Sequence, residues 1–282
     1  MLGEKFDCEY MNIMDKRAVD ILDRTSPCWG VCDFKDVSGR LLSCRAVGRL
    51  PENAVSVIVT LFPYYLGEER YEGANISRYA VVPDYHVAMK QRLESAAREL
   101  RKIYPNEQFE AFCGSSPVSE VFAAELAGLG ARGKNGLLIT GKYGSWVFIG
   151  EIVTTMELPK TDLDVKPCLG CGLCVRACPT GALSENCFDK EKCLSHIGQQ
   201  KGDIPKEYTA VMRSIGSAWG CDECQKVCPR NQNAAVTEIG EFVKNVRVKA
   251  SVNDDLADRA YSWRGHDVIE RNLKFLESEK EK

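Results

Sequence analysis

The chain has 282 residues, 44% hydrophobic and 27% charged, with a formal charge of -3, which allows one large domain plus a small one and excludes a disordered polymer. Its longest apolar runs, such as residues 55–62, fall far short of the ~18 residues that a membrane-spanning helix needs, so no membrane partner is expected. The near-neutral charge gives no global pull toward nucleic acid, whose phosphates are met by many Lys and Arg contacts.

The start, MLGEKFDCEYMNIMDK, has no apolar stretch or small-residue cleavage site, and a cytoplasmic location is expected. Fourteen cysteines in a reducing compartment point to metal binding rather than to disulfides. Cys28 and Cys32, four residues apart, are a weak hint of a further metal; Cys8, Cys44, Cys113 and Cys187 read as small apolar residues or idle thiols. Residues 54–61 (AVSVIVTL) predict a buried strand, being short and rich in β-branched side chains. Residues 85–104 predict a helix whose core face carries Met89, Leu93, Ala96, Leu100 and Ile103. Ser116 and Pro117 read as a cap and first turn, with the helix running through VSEVFAAELA until Gly128 stops it. Residues 144–155 (GSWVFIGEIVTT) predict a strand in which Gly150 marks a bulge or a close backbone approach. A compact boundary is expected within residues 159–167, where prolines and charges cluster.

From Cys168 the chain reads CLGCGLCVRACP, placing Cys168, Cys171, Cys174 and Cys178 at the C-x2-C-x2-C-x3-C-P spacing of bacterial ferredoxins. The first three thiolates can share one 4Fe-4S cube, while the fourth reaches a second cube in two-cluster ferredoxins. The second half, WGCDECQKVCP, supplies Cys221, Cys224 and Cys228. Two cubes need eight thiolates, so one more must come from the intervening segment, from Cys187 or Cys193. Cys193, which leads CLSHIG after the charged DKEK, is preferred. Cluster 1 then takes Cys168, Cys171, Cys174 and Cys228, and cluster 2 takes Cys178, Cys193, Cys221 and Cys224. A pair of four-cysteine zinc sites is the alternative, but zinc has no use for crossed Cys-Pro ligands.

The fold class expected is α+β: a helix-covered sheet in residues 1–160, a small ferredoxin-like two-cluster domain in 161–250, and a short extension in 251–282 whose last residues, ESEKEK, fray. Through PENAVSVIV, DYH at 84–86, SPVSEVFAAELAGLGARGKNGLLI, GSWVFIGEI and both cluster motifs, the chain resembles the epoxyqueuosine reductases, cobalamin-dependent iron-sulfur enzymes that complete queuosine in transfer RNA.

The resemblance implies a cobalamin-binding type of N-terminal domain, Lys134, Asn135, Ser145, Trp146 and His196 as cofactor contacts, Cys193 as a cluster ligand, and an external one-electron donor of flavodoxin or ferredoxin type. It implies reduction of an epoxide to an alkene, with a general acid. The family's acid is an Asp three residues before the Pro of the capped helix, and here that position is Gly114. Asp84, Tyr85, His86 and Cys113 are the substitutes to test. Ala131 and Arg132 replace the family's Trp-Ile before its Gly-Lys, and the helical repeat domain that grips transfer RNA in the family has little chain left to form here. The basic stretch VKNVRVK at 243–249 reads as a solvated face. Two further readings stay open: a cobalamin reductase of a small molecule, similar to reductive dehalogenases, and a non-catalytic two-cluster electron carrier.

Overall fold

The computed structural model describes residues 14–161 and 163–277. Cys8 and the end of ESEKEK lie outside them. The chain forms two compact units that interleave along the sequence. Of the described residues, the first takes 14–62 with 86–132 and 147–167, and the second takes 63–85, 133–146 and 168–277. The last crossing between the units follows Pro167, and two earlier segments, 63–85 and 133–146, group with the cysteine-rich part. Residues 251–277 pack within that second unit rather than forming an extension of their own.

The first unit is built on a four-stranded sheet. Its strands are β1 (Cys28–Asp33), β2 (Ser56–Pro63), β3 (Phe109–Cys113) and β4 (Val147–Thr154), in the order β1-β2-β4-β3. Every residue of β2 is buried, as its unbroken apolar run requires of a central strand. The β1–β2 and β3–β4 pairs are antiparallel, and in the latter Phe112 stands opposite Glu151 and Cys113 opposite Gly150. That register is continuous, so Gly150 is no bulge. It is a close approach: a Cβ there would lie 2.7 Å from Leu93 Cδ1 and 3.2 Å from Met89 Cε.

Three helices cover this sheet. Helix α1 (Lys16–Thr25) opens where the Asp15 carboxylate accepts from Arg17 N–H at 2.8 Å, and it buries Ala18, Ile21, Leu22 and Thr25 at three- and four-residue steps. Helix α2 (Tyr85–Ile103) buries Ala88, Met89, Leu93, Ala96, Ala97 and Leu100, as its periodicity predicts. Helix α3 (Glu120–Leu126) starts later than its sequence suggests: its N-cap position is Ser119. The Ser116 hydroxyl instead accepts from Val118 N–H at 3.1 Å, and the Pro117 carbonyl accepts from Leu42 N–H, so residues 116–118 are held as a turn. Gly128 ends the helix with φ +68°, as expected.

In the second unit, the short helices α4 (Leu173–Arg176), α5 (Leu194–Ile197) and α7 (Glu223–Lys226) follow the cysteine motifs, and the longer α6 (Lys206–Ile215) and α8 (His266–Glu277) pack on one another. Leu194, Ile197, Ile204 and Met212 form its small core with Phe275 and Leu276 of α8 against it. Asn272 is wholly buried and donates to the carbonyls of Gly198 and Ala218, both at 2.8 Å, which ties α8 to the loop after α5 and to the approach of the second cysteine motif. Arg247 of the basic stretch donates to the Asp255 carbonyl and pairs with Asp254, so it is engaged within the fold. No helix among the described residues is long and apolar enough to cross a membrane.

Candidate cluster centre and carboxylate site

The two cysteine motifs fold alike. Gly172 takes a left-handed conformation at φ +68° just before α4, with Gly170 likewise at +65°, which curls the loop that carries Cys168, Cys171 and Cys174. Helix α7, between Cys221 and Cys228, contacts α4. As a result one small cavity of about 20 Å³ is lined by Cys168, Cys171, Cys174 and Cys228 together with Lys134, Asn135, Ile139 and Arg230. The four sulfurs assigned to cluster 1 therefore meet around a single space. The Lys134 ammonium pairs with Glu185 beside it.

Cys193, Cys221 and Cys224 sense one another electrostatically, and burial pushes the thiols of Cys221 and Cys224 up to about 12. Cys178 goes the other way: although burial raises it, the N–H groups of Thr180, Leu183 and Ala182 converge on its sulfur and hold it below its ordinary value. Cys187 is exposed and sits in a turn closed by the Ser184 hydroxyl. Bound iron would favour the thiolate at every one of the buried positions.

The residues implied as cofactor contacts divide into two kinds. Ser145 is buried and committed: its N–H donates to Asn231 Oδ1 at 2.7 Å, its hydroxyl donates to Gln225 Oε1 at 2.9 Å and accepts from Asn231 Nδ2 at 2.9 Å. His196 lies 2.8 Å from Gln200 Nε2, with Glu191 at 3.5 Å. Trp146 is 1% exposed, stacked on Tyr65 with the Arg78 guanidinium 4.6 Å from its ring centroid, yet its indole N–H has no acceptor among the described residues. The Asn135 side-chain amide differs: its oxygen accepts from Leu137 N–H, and its N–H is directed at the Cys224 sulfur, which it helps to hold as thiolate. One buried donor, the Trp146 indole N–H, is thus left for a polar group that the described residues do not supply.

Arg78 and Asp222 were not singled out from the sequence. Arg78 is buried against Tyr65, Tyr71 and Trp146 and pairs with Glu68, while Asp222 accepts from its main-chain N–H at 2.7 Å. Burial raises the Asp222 carboxyl to about 6. The pair fastens residues 63–85 to the second cysteine motif.

The first unit holds a separate polar site. Gly114 follows β3 with φ +72°, and a Cβ at this position would lie 2.7 Å from His86 Cδ2 and 2.8 Å from His86 Nε2. The imidazole therefore fills the space that any other residue 114 would need. Glu120, the first residue of α3, accepts from Gly114 N–H and faces His86. Burial pushes its carboxyl up to about 7, with the His86 charge and the Gly114 N–H opposing. Glu151, from β4, is 0% exposed, and burial and the neighbouring Glu120 hold its carboxyl well above the ordinary range. Glu120 Oε1 reaches no partner at hydrogen-bond geometry among the described residues, and for Glu151 the Ser116 hydroxyl is the one side chain that opposes the upward shift.

Cys113 lies beside this group, its Sγ 3.9 Å from the His86 carbonyl, and burial pushes its thiol up to about 11, which suits it poorly to ionise. Asp84 and Tyr85 fall in the second unit, where Asp84 N–H donates to the Asp258 carbonyl at 3.3 Å and the Tyr85 ring meets Tyr79 edge-on at 6.4 Å. Of the four substitutes for the missing aspartate, His86 alone occupies the place of a side chain at 114. The sequence did hint at Glu151, since a lone carboxylate inside an otherwise apolar strand requires a partner or a proton. Glu120 gave no such signal, because an acid at the start of a helix is commonplace. Cys28 and Cys32 are joined by no third His, Cys, Asp or Glu, among the described residues, in a group that could hold a single metal ion.

Comparison with known proteins places these features. Residues 46–115 match the epoxyqueuosine reductase QueG family, and residues 167–231 match the 4Fe-4S double cluster binding domain family. The chain is similar to the epoxyqueuosine reductase of Aliivibrio fischeri, 34% identical over 192 residues that make up 67% of this chain and 50% of that protein. To the epoxyqueuosine reductase of Gloeobacter violaceus it is 38% identical over 199 residues, 68% of this chain and 62% of that one. It therefore spans only half to three-fifths of the length of these relatives. A crystal structure of epoxyqueuosine reductase with a tRNA-Tyr epoxyqueuosine-modified stem loop superposes with a TM-score of 0.77 at 22% identity, covering 93% of this chain and 80% of that one. This likeness shows a shared fold.

Proposed function

We propose that this chain, which belongs to the epoxyqueuosine reductase family, is an iron-sulfur reductase that removes the epoxide oxygen of epoxyqueuosine in transfer RNA. The observation that carries the reading is the meeting of Cys168, Cys171, Cys174 and Cys228 around one cavity, with Cys193, Cys221 and Cys224 grouped nearby in sequence and charge. Cys178 completes the second set of four. When bound, the clusters supply single-electron transfer from an external donor of flavodoxin or ferredoxin type, and a cobalamin supplies a strongly reducing cobalt. Trp146, with a buried N–H donor in want of an acceptor, is the residue that fits a cobalamin, whereas Asn135 serves Cys224 and Ser145 shapes the loop from within.

The net reaction consumes two electrons and two protons: the epoxide C–O bonds break, an alkene forms, and the oxygen leaves as water. The protein must deliver a proton to that oxygen as it departs, since an unprotonated oxygen is a poor leaving group. His86 is the proton donor in this reading, because its ring occupies the place of a side chain at 114 and borders the exposed Gly114 and Ser115.

Anaerobic reconstitution with iron, sulfide and cobalamin, followed by reduction assays on an epoxyqueuosine-containing stem loop and on the free nucleoside, tests the proposal. Alkene product from the stem loop is expected. Turnover of the nucleoside alone would reassign the substrate to a small molecule, and iron binding without cobalt would reduce the protein to an electron carrier.

A further inference from the structure

The carboxyls of Glu120 and Glu151 come from α3 and β4 and meet inside the first unit, behind the His86 ring. Glu151 projects from the face of β4 that pairs with Phe112, while the opposite face, through Gly150, meets α2. No cation among the described residues is placed to neutralise this pair apart from the His86 ring, and the one polar side chain that reaches Glu151 is the Ser116 hydroxyl, whose hydrogen bond only partly offsets burial and the Glu120 charge. Two buried carboxylates in contact cannot both ionise cheaply. The arrangement holds a proton by construction, and Gly114 N–H fixes Glu120 so that it faces the imidazole.

We propose that Glu120 and Glu151 form a buried proton store that recharges His86 during turnover. The inference rests on the functional reading above for its substrate, though not for its geometry. In each cycle the imidazolium gives one proton to the departing oxygen, while two electrons arrive from the external donor. The neutral ring then takes the carboxylic proton of Glu120 and passes it on as the second proton of the water that leaves, so the carboxyl pair ends one charge more negative and the ring neutral. Solvent at the exposed Gly114 and Ser115 returns two protons, one to the ring and one through the ring to the pair. Both glutamates act through His86, so they are positioning residues rather than groups that touch substrate.

The groups facing the pair from each side are few. His86 stands toward α2; Cys113, with Lys90 and Glu94 behind it, stands toward the end of β3; Cys32, with Asp33, Asp36 and Lys160 beyond, stands toward β1. Burial drives the Cys32 and Cys113 thiols up to about 12 and about 11, so neither competes for the proton near neutrality.

Infrared difference spectra of the full chain, taken between pH 5.5 and 8.5 in ordinary and heavy water, read the store directly. The wild type should show a protonated-carboxyl band that disappears with a midpoint near the value of about 7 held by Glu120. Glu120→Gln and Glu151→Gln should each abolish or simplify that band. His86→Gln keeps both carboxyls and should move the midpoint upward, because the charge that lowers Glu120 has gone. In the reconstituted enzyme Glu120→Gln should lower kcat roughly tenfold, leave KM unchanged and remove the alkaline limb of the rate profile, with Glu120→Asp restoring part of it. A wild type without the band, or a midpoint indifferent to His86→Gln, overturns the store. A band that behaves as expected in a protein that reduces no epoxide would sink the functional reading and leave the store standing.

Discussion

At the level of single residues, the contact between Gly114 and His86 sets a steric condition that a double-mutant cycle can measure. Gly114→Ala meets both a left-handed backbone, which costs an L-residue about 1–2 kcal/mol, and the His86 ring at 2.7 Å. Adding His86→Ala removes the second penalty only. Urea unfolding should therefore show the double variant to be less unstable than the sum of the single ones, and strict additivity would mean that the ring does not occupy that space. The same condition bears on Gly114→Asp. With His86 in place the new carboxylate has no room, whereas in the His86→Ala background it gains a place to act, so epoxide reduction should recover in the double variant relative to His86→Ala alone.

The carboxyl pair also has a stability consequence. Glu120 rises from 4.5 to about 7 on folding, so the folded chain binds more protons than the unfolded one in that window. Its contribution is fully favourable below about 4.5 and is lost as the pH climbs through about 7, a change on the order of 3 kcal/mol. Denaturant midpoints of Glu120→Gln should accordingly fall less than those of the wild type between pH 5 and 8. Equal slopes for the two proteins would show that this carboxyl is not held protonated.

Among the elements, α8 depends on one amide. Asn272 gives both of its N–H groups to carbonyls of the second unit, at Gly198 and Ala218, from a fully buried position. Asn272→Leu keeps the volume roughly and leaves two carbonyls unsatisfied, for an expected loss of about 2–4 kcal/mol in thermal or urea unfolding. Loss of less than 1 kcal/mol would indicate that α8 is dispensable to that unit.

How much of each element could be read in advance follows from its local pattern. The periodic face of α2 and the apolar run of β2 were plain because each repeats one rule over many residues. Strands β1 and β3, at six and five residues with Cys, Gly or Glu in them, were too short to declare a period. The start of α3 was misplaced because Ser116 and Ser119 can both cap, and only the tertiary bond from Leu42 to the Pro117 carbonyl decides between them. The thiolate motifs were legible because a cube of iron and sulfur dictates close spacing along the chain. Glu120 and Glu151 obey no such spacing; thirty-one positions apart, they meet only through the pairing of β3 with β4 and the docking of α3.

For the molecule as a whole, the sulfur sites couple composition to stability. The Cys221 and Cys224 thiols sit in largely buried positions that disfavour thiolate until a metal compensates, so iron content and folding of the second unit should rise together. Cys193→Ser should reduce bound iron to about half and lower the melting temperature under anaerobic conditions, while the exposed Cys187→Ser should change neither. Unaltered iron in the first variant, or a loss in the second, would redraw the ligand set.

The winding of the chain has a consequence for inheritance. It passes from one unit to the other at residues 62, 85, 132, 146 and 167, so any single break in the gene strands part of one unit with the other. A recombinant that joined the front of this gene to the back of a relative's at Cys168 would match a foreign cysteine module with resident segments 63–85 and 133–146, which carry Arg78, Asn135 and Trp146. Exchange of either unit intact takes five splices made together, and the two are therefore expected to have diverged in step.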